Sequence, residues 1–110
     1  MKKKDIVKTH EEFNTIIKNG NKINSKFLVI YYINNDINHS RYGISVGTKL
    51  GNAVFRNKYK RKLRMILHNN NILYNECNDY IILLRKSATK LTYRELEQDF
   101  KKLVDRLKEN

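Results

Sequence analysis

The chain of 110 residues has little of what exported, disulfide-bonded or membrane proteins carry. It contains no proline and no tryptophan, and its one cysteine, Cys77, cannot form a disulfide within the chain. The longest apolar run, Phe27 to Ile33, has seven residues, whereas about 20 are needed to cross a bilayer. Three lysines stand near the start, but no apolar segment follows them as a signal peptide requires. We therefore expect a cytoplasmic protein that has no membrane partner.

The residue groupings of a protein nuclease or a metalloenzyme are also missing. His10, His39 and His68 fall in three different predicted elements, and neither an HExxH nor an Asp-x-Asp spacing occurs. The four glycines form no phosphate-binding loop. Glu76 and Asp79 are interpreted as residues that flank a turn and a helix or strand, rather than as metal ligands. We expect no catalytic side chain, and the sequence leaves any protein-bound metal site open.

Acidic residues are absent from the middle of the chain. The whole chain has 23 lysines and arginines against 11 acids, a net charge of +12. Residues 92–110, in contrast, balance five acids with five bases. An excess of one sign in one segment indicates a polyanionic partner. Between Asp36 and Glu76 there is no acid, and eight basic residues occur there: Arg41, Lys49, Arg56, Lys58, Lys60, Arg61, Lys62 and Arg64.

Helix starts are the clearest structural signals. Thr9 to Glu12 has the pattern of a capping box, which predicts a helix over residues 10–19 with Gly20 as its C′ residue. A second helix is predicted from Asn52 to about His68, because apolar residues recur there at helical spacing. Another capping box, Thr92 to Glu95, opens the last helix. The apolar stripe of that helix consists of Leu96, Phe100, Leu103, Val104 and Leu107.

Three segments rich in β-branched and aromatic residues predict strands. Lys26 to Ile33 and Arg41 to Val46 are joined by a polar loop, so we expect them to be antiparallel neighbours. Tyr80 to Leu84 is continuously apolar and is predicted to be buried on both faces. Ile23 is assigned to a short edge strand. The order of elements predicts a single α+β domain over residues 1–110, with helices packed on a mixed four-stranded sheet.

Helical geometry places the basic residues of the second helix on one face. At about 100° per residue, the charged positions and one asparagine share a continuous arc beside an apolar arc. A solubilising face normally mixes signs, and a membrane-surface helix normally carries aromatic anchors, so a row of phosphates is the favoured partner. We call the following residues the basic arc: Arg56, Asn57, Lys60, Arg61 and Arg64. The apolar arc, predicted to face the core, contains Tyr59, Leu63, Ile66 and Leu67.

These motifs resemble a known family. The segment Arg56-Asn57-Lys58-Tyr59-Lys60-Arg61-Lys62-Leu63-Arg64 follows Gly51-Asn52-Ala53-Val54. In this order the two motifs closely resemble the protein subunit of bacterial ribonuclease P, whose hallmark is Arg-Asn-x-x-Lys-Arg-x-x-Arg after Gly-Asn-Ala-Val. The similarity covers nearly the whole chain and includes residues 79–82 with Arg85 and residues 91–93.

The resemblance implies both a fold and a function. It implies a left-handed crossover, as in the second domain of ribosomal protein S5. It further implies that the basic arc binds a catalytic RNA, with one protein per RNA. That RNA, with bound Mg²⁺, would cleave the 5′ leader from precursor tRNA, and the protein would add no catalytic side chain and no cofactor of its own. The leader would lie as single-stranded RNA in a cleft whose implied residues are Phe13, Ile17, Tyr31 and Lys49.

Three positions depart from the family pattern, and two alternatives stay open. Ile17 stands where a second aromatic residue is frequent, Ile6 where an arginine is frequent, and Thr48 where the first lysine of a pair is expected. Phe13 and Tyr31 are also compatible with a purely structural place in the core. The second functional hypothesis is a ribosomal or other structural RNA-binding protein with no role in tRNA processing, since net charge does not separate the two classes.

Overall fold

The computed structural model of the chain describes residues 6–70 and 77–109. It contains three helices and four strands in the predicted order, and the α+β prediction is confirmed. Two short 3₁₀ turns, Thr48–Leu50 and Lys86–Lys90, lie between the main elements. No helix of the described residues is both long enough and apolar enough to cross a membrane. The main elements are α1 (His10–Asn19), β1 (Asn21–Asn24), β2 (Leu28–Asn34), β3 (Arg41–Ser45), α2 (Ala53–Asn69), β4 (Asn78–Leu84) and α3 (Tyr93–Glu109).

The four strands form one mixed sheet in the order β1-β2-β4-β3. Strand β1 pairs antiparallel with β2, and β2 pairs antiparallel with β4, whereas β3 pairs parallel with β4. The mixed sheet and the edge strand at Ile23 are therefore confirmed. The prediction that β2 and β3 are neighbours is wrong, because β4 lies between them. Tyr80, Ile81 and Ile82 are fully buried, and such an apolar strand gains most from the central position.

Helices α2 and α3 cover one face of the sheet. Phe100 and Leu103 of α3 and Leu63 and Ile66 of α2 are almost completely buried there, so both predicted apolar stripes are confirmed. The Tyr59 hydroxyl donates to the carbonyl of Thr89 over 2.9 Å and so ties α2 to the 3₁₀ turn that follows β4. The sheet contributes mainly the following residues to this core: Leu28, Ile30, Tyr42, Tyr80, Ile82 and Leu84.

The opposite face of the sheet consists of three rows of side chains, which the strand register defines. Because alternate residues of a strand point to the same face, each row has one residue from each of β2, β4 and β3. Helix α1 lies against the first two rows, where Ile16 packs with Ile81. The rows are Ile33, Asp79 and Arg41; Tyr31, Ile81 and Gly43; and Val29, Leu83 and Ser45.

Capping hydrogen bonds begin the helices as predicted. In α1 the Glu12 amide donates to Thr9 Oγ1 and the Thr9 amide donates to Glu12 Oε1, over 3.1 and 3.2 Å. Gly20 differs from the expected left-handed cap, since its φ of −82° is accessible to any residue. Glycine is needed at this position because the backbone packs closely there: a Cβ would lie 2.5 Å from the Ile16 carbonyl oxygen and 2.7 Å from the Tyr32 carbonyl oxygen.

Candidate RNA-binding surfaces

Helix α2 presents the basic arc on a face that its neighbours leave open. The Asn52 side chain accepts a hydrogen bond of 2.9 Å from the Phe55 amide and starts the helix directly before the arc. Buried Tyr59 and Leu63 then hold the apolar side of the helix on the sheet. In the basic arc, Asn57, Arg61 and Arg64 are exposed, whereas Arg56 and Lys60 are half-buried.

The side chains of the basic arc have no partners within the described ranges, 6–70 and 77–109. None of the five makes an ion pair or a side-chain hydrogen bond there. Nε of Arg56 is buried and finds no hydrogen-bond acceptor among the described residues, which costs free energy. The donors of the exposed side chains Asn57, Arg61 and Arg64 are open to an external anion. The arc therefore has the charge and the free donors to bind a row of phosphates.

Arg41 does not belong to this free positive charge. Its Nε and Nη2 donate to the two carboxylate oxygens of Asp79 over 2.9 and 2.6 Å, and its Nη1 lies 2.8 Å from Glu12 Oε2. Asn35 adds a hydrogen bond of 2.9 Å to Asp79. One of the eight basic residues in the acid-free segment is therefore neutralised inside the fold. Sequence patterns did not indicate this, because residues 41 and 79 meet through the parallel register of β3 and β4.

Arg41 lowers the pKa values of both carboxylates that it contacts, Asp79 and Glu12. Burial by itself raises the pKa of Asp79, but the hydrogen bonds from Arg41 and Asn35 outweigh it and leave that pKa below its ordinary value. Burial by itself raises the pKa of Glu12 too, but the hydrogen bonds from Arg41 and from the Thr9 amide outweigh it and leave that pKa below its ordinary value. Asp79 is thus a charged residue inside β4 rather than a residue at a turn, and this network ties the first turn of α1 to the sheet.

Phe13 and Tyr31, two residues of the predicted leader cleft, lie in one cluster under α1. Both are half-buried and pack around a small core of Val7, Ile16 and Ile81. The Phe13 ring covers Gly43, where a Cβ would lie 2.5 Å from Phe13 Cζ. The glycine therefore makes room for the ring, and the cluster has both a structural role and an accessible side.

The other two predicted cleft residues lie outside this cluster. Ile17, one turn after Phe13 on α1, is 37% exposed. Lys49 is exposed in the short turn after β3 and lines an open groove of about 360 Å³ together with Ser45 and Leu83 of the third row. The structure thus separates Lys49 from Phe13 and places it at the end of the sheet face that is farther from the Arg41 row.

A second groove, which sequence patterns did not indicate, connects the Phe13 cluster with the basic arc. It has a volume of about 290 Å³ and is lined by Phe13 and Gly43 on one side and by Lys60 and Arg64 on the other. It lies at the outer edge of β3, the edge that faces away from β4. We call it the edge groove.

Metal ligands do not cluster in the part of the chain that the structure describes. No three histidine, cysteine, aspartate or glutamate side chains meet there in a way that could hold a metal ion.

Comparisons with known proteins agree with this geometry. The family model described as Ribonuclease P matches residues 1–108. The ribonuclease P protein component of Mycoplasma mycoides subsp. mycoides is 46% identical over 109 residues, 98% of this chain and 100% of that protein. That of Streptococcus pneumoniae is 39% identical over 99 residues, 90% of this chain and 80% of that protein. The solved structure of the Staphylococcus aureus RNase P protein superposes with a TM-score of 0.85 at 32% identity, covering 94% of this chain and 95% of that one. This chain belongs to the ribonuclease P protein family.

Proposed function

We propose that this chain acts in the cytoplasm as the RNA-binding protein subunit of ribonuclease P, in the 5′ maturation of precursor tRNA. The observation that carries the proposal is the basic arc, which stands in the family's motif order and has no internal counter-charge among the described residues. In this proposal the arc binds the catalytic RNA, one protein per RNA. The RNA and its Mg²⁺ perform the cleavage, and no side chain of this chain takes part in it.

Each part of the arc contributes a different interaction with RNA. Arg56, Arg61 and Arg64 can bind phosphates through two parallel hydrogen bonds, whereas Lys60 offers a compact point charge. Asn57 can donate to a phosphate and can also bond to a ribose or base edge. Because the residues lie along about two turns of one helix, they match successive phosphates of a structured RNA rather than a single anion.

The 5′ leader is assigned to the face of the sheet beneath α1. Phe13 and Tyr31 provide aromatic surface, and the open groove beside Lys49 provides room for a strand together with a cation for its backbone. Stacking on aromatic rings tolerates varied sequence, which suits a leader that differs from one precursor tRNA to the next. Exposed Ile17 extends this surface with apolar contact where an aromatic ring would stack more strongly.

Reconstitution with a catalytic RNA tests the proposal. The protein should lower the Mg²⁺ concentration that the RNA needs for cleavage of precursor tRNA, and it should strengthen binding of precursor over mature tRNA. A variant with Arg56, Lys60 and Arg64 changed to Gln serves as the matched control and should lose most of both effects. If the wild-type protein binds the RNA but changes neither quantity, a structural RNA-binding role is the better description.

Leader recognition is tested with precursors that differ in leader length. Tyr31→Ala should weaken binding of a precursor with a long leader at least several-fold, since stacking on an aromatic side chain contributes about 1–3 kcal/mol per base. Lys49→Ala should also weaken it several-fold, because a cation beside the leader backbone is lost. Neither change should affect a precursor whose leader is too short to reach the cleft. Ile37→Ala, at an exposed position in the loop before β3, is the control for general surface effects. Equal losses with both precursors would contradict the leader assignment.

A further inference from the structure

The edge groove has an apolar floor and a basic rim. Val7 is 3% exposed and Ile44 is half-buried, so the floor belongs to the packed interior, whereas Ile6 and Arg64 border solvent. The volume of about 290 Å³ is just below the usual range of small-molecule sites. The lining of the groove includes Ile6, Val7, Phe13, Ile44, Lys60 and Arg64.

Backbone pairing makes the groove a built feature of the fold. The Val7 amide donates to the Tyr42 carbonyl over 2.9 Å, and Ile6 forms a parallel bridge with Tyr42, so this segment runs along the outer edge of β3. Gly43 has no side chain and leaves the space that the Phe13 ring borders. Lys60 and Arg64, one turn apart on α2, form the opposite wall.

We infer that the edge groove binds one unstacked nucleotide of the catalytic RNA. Its base lies against Ile6 and Ile44, and its phosphate lies on Lys60 and Arg64. The inference rests on the proposed function, because it takes the arc to be the surface that binds this RNA. A cavity of this volume holds a single base rather than a stacked helix. Its apolar walls lie beside two cations that have no partner among the described residues, and this combination matches the two halves of a nucleotide.

The catalytic RNA, and not the leader, is the strand that reaches this groove. Lys60 and Arg64 are members of the basic arc, so a phosphate on them belongs to the RNA that the arc binds. The open groove beside Lys49, which is assigned to the leader, begins at Ser45 of β3. The edge groove is lined by Gly43 and Ile44, which precede Ser45 along the same strand. Because the base is held by apolar contact, the groove should accept different bases with modest preference.

A nucleotide titration tests the groove in the full chain without the catalytic RNA. With ¹³C-labelled isoleucine δ1-methyl groups, adenosine 5′-monophosphate should shift the NMR signals of Ile6 and Ile44 through the ring current of its base. The signal of exposed Ile37 should stay in place and serve as the internal control. Ribose 5-phosphate should leave the signals of Ile6, Ile37 and Ile44 unchanged. Absent shifts, or equal shifts with ribose 5-phosphate, would overturn the inference.

A variant tests the groove in the complex. Ile6→Ala removes apolar contact at a residue that is 38% exposed, so the melting temperature should change little. Affinity for the catalytic RNA without precursor should fall about three- to tenfold, a fraction of the value for stacking of a whole base. The salt dependence should be unchanged, because no charge is lost. Ile37→Ala is the matched control and should bind like the wild type.

The outcomes separate this inference from the proposed function. If the catalytic RNA binds the wild type and Ile6→Ala equally well, the groove is empty in the complex and the inference is wrong, while the proposed function stands. If the catalytic RNA does not bind the wild-type protein at all, the proposed function fails, and the nucleotide titration still decides whether the groove accepts a base.

Discussion

Arg41 connects three elements through a single guanidinium group. It holds two oxygens of Asp79 in β4 and one oxygen of Glu12 in α1 while it stands in β3 itself. Bidentate pairing of this kind is among the stronger ionic contacts in proteins, and the Asp79 side chain is 9% exposed. The network therefore fixes the first turn of α1, and with it Phe13, relative to the edge of the sheet.

Removing the Asp79 charge should destabilise the fold. Asp79→Asn leaves the half-buried Arg41 with Glu12 as its remaining charged partner, and we expect a loss of about 3 kcal/mol in the free energy of unfolding. Urea unfolding at pH 7 measures this loss. Asp105→Asn changes an exposed carboxylate and should stay within about 0.5 kcal/mol of the wild type. Similar values for the two variants would show that the network contributes little to stability.

The loss in free energy of unfolding caused by Asp79→Asn should depend on pH in a direction that follows from the pKa of Asp79. The pKa of Asp79 is lower in the folded state than its ordinary value of about 3.9, so the unfolded chain binds the proton more readily. The stabilisation by the ionised carboxylate is complete above that value and is lost as the pH falls through the folded-state pKa. The difference between wild type and Asp79→Asn should therefore be constant near neutral pH and should shrink below about pH 4.

Gly43 in β3 and Gly47 in the turn after it should respond in opposite ways to substitution by alanine. A Cβ at Gly43 would lie 2.5 Å from Phe13 Cζ and 2.8 Å from Cδ1 of Ile81, and Ile81 is fully buried and has no space to move into. Gly43→Ala should cost about 1–3 kcal/mol in the free energy of unfolding. Gly47 has a φ of −64° and no atom within 4 Å of such a Cβ, so Gly47→Ala should be neutral or slightly stabilising. Thermal unfolding of both variants checks this contrast.

Residues whose role depends on near neighbours in the chain were predictable, and those that depend on distant contacts were not. Thr9 and Glu12 stand three residues apart, so their capping box was predictable. Arg41 and Asp79 stand 38 residues apart, and nothing local distinguishes Arg41 from a cation that binds RNA. The basic arc was predictable because one helix carries all of it, whereas the edge groove requires α1, β3 and α2 together.

At the scale of elements, helix positions were easier to predict than strand neighbours. The beginning and end of α2 follow from Asn52 and from the asparagines at positions 69 and 70. Strand pairing is a choice among alternatives with similar local patterns, and β2 and β3 are separated by a loop short enough for a hairpin. The apolar β4 takes the central position between them and converts the expected hairpin into a mixed sheet. The handedness of the connection and the likeness to ribosomal protein S5 stay predictions.

The basic arc of α2 should account for the salt dependence of binding to the catalytic RNA. With about five phosphate contacts, wild-type affinity should fall about 10²- to 10³-fold between about 50 and 200 mM monovalent salt. The triple variant Arg56→Gln, Lys60→Gln and Arg64→Gln should bind more weakly and lose only about tenfold over the same interval. Filter binding or fluorescence anisotropy at several salt concentrations measures both slopes.

A control on α3 separates the arc from net charge. Changing Lys101, Lys102 and Lys108 to Gln removes the same number of charges from exposed positions on a helix that also carries acids. This variant should keep the wild-type affinity within a few-fold and should keep the wild-type slope. If it loses as much as the arc variant, binding depends on the total charge of the protein, and the order of residues in the arc has no special part in it.

The whole molecule carries its charge unevenly. Of the net charge of +12, most of the excess lies between Asp36 and Glu76, and the structure neutralises Arg41 of that segment by Asp79 and Glu12. The basic residues of the arc therefore repel one another on one face of α2. Such repulsion destabilises the compact state, and a bound polyanion relieves it.

This coupling predicts that anions stabilise the free protein. Sulfate that binds the arc of the folded chain and not the unfolded chain should raise the melting temperature, by about 5 °C when its concentration is about ten times its dissociation constant. Sodium chloride at the same ionic strength controls for screening and should raise it less. The triple arc variant should melt higher than the wild type without sulfate, because its repulsion is lower, and should gain little from sulfate. An equal sulfate effect in wild type and variant would place the anion elsewhere on the molecule and would separate stability from the RNA-binding surface.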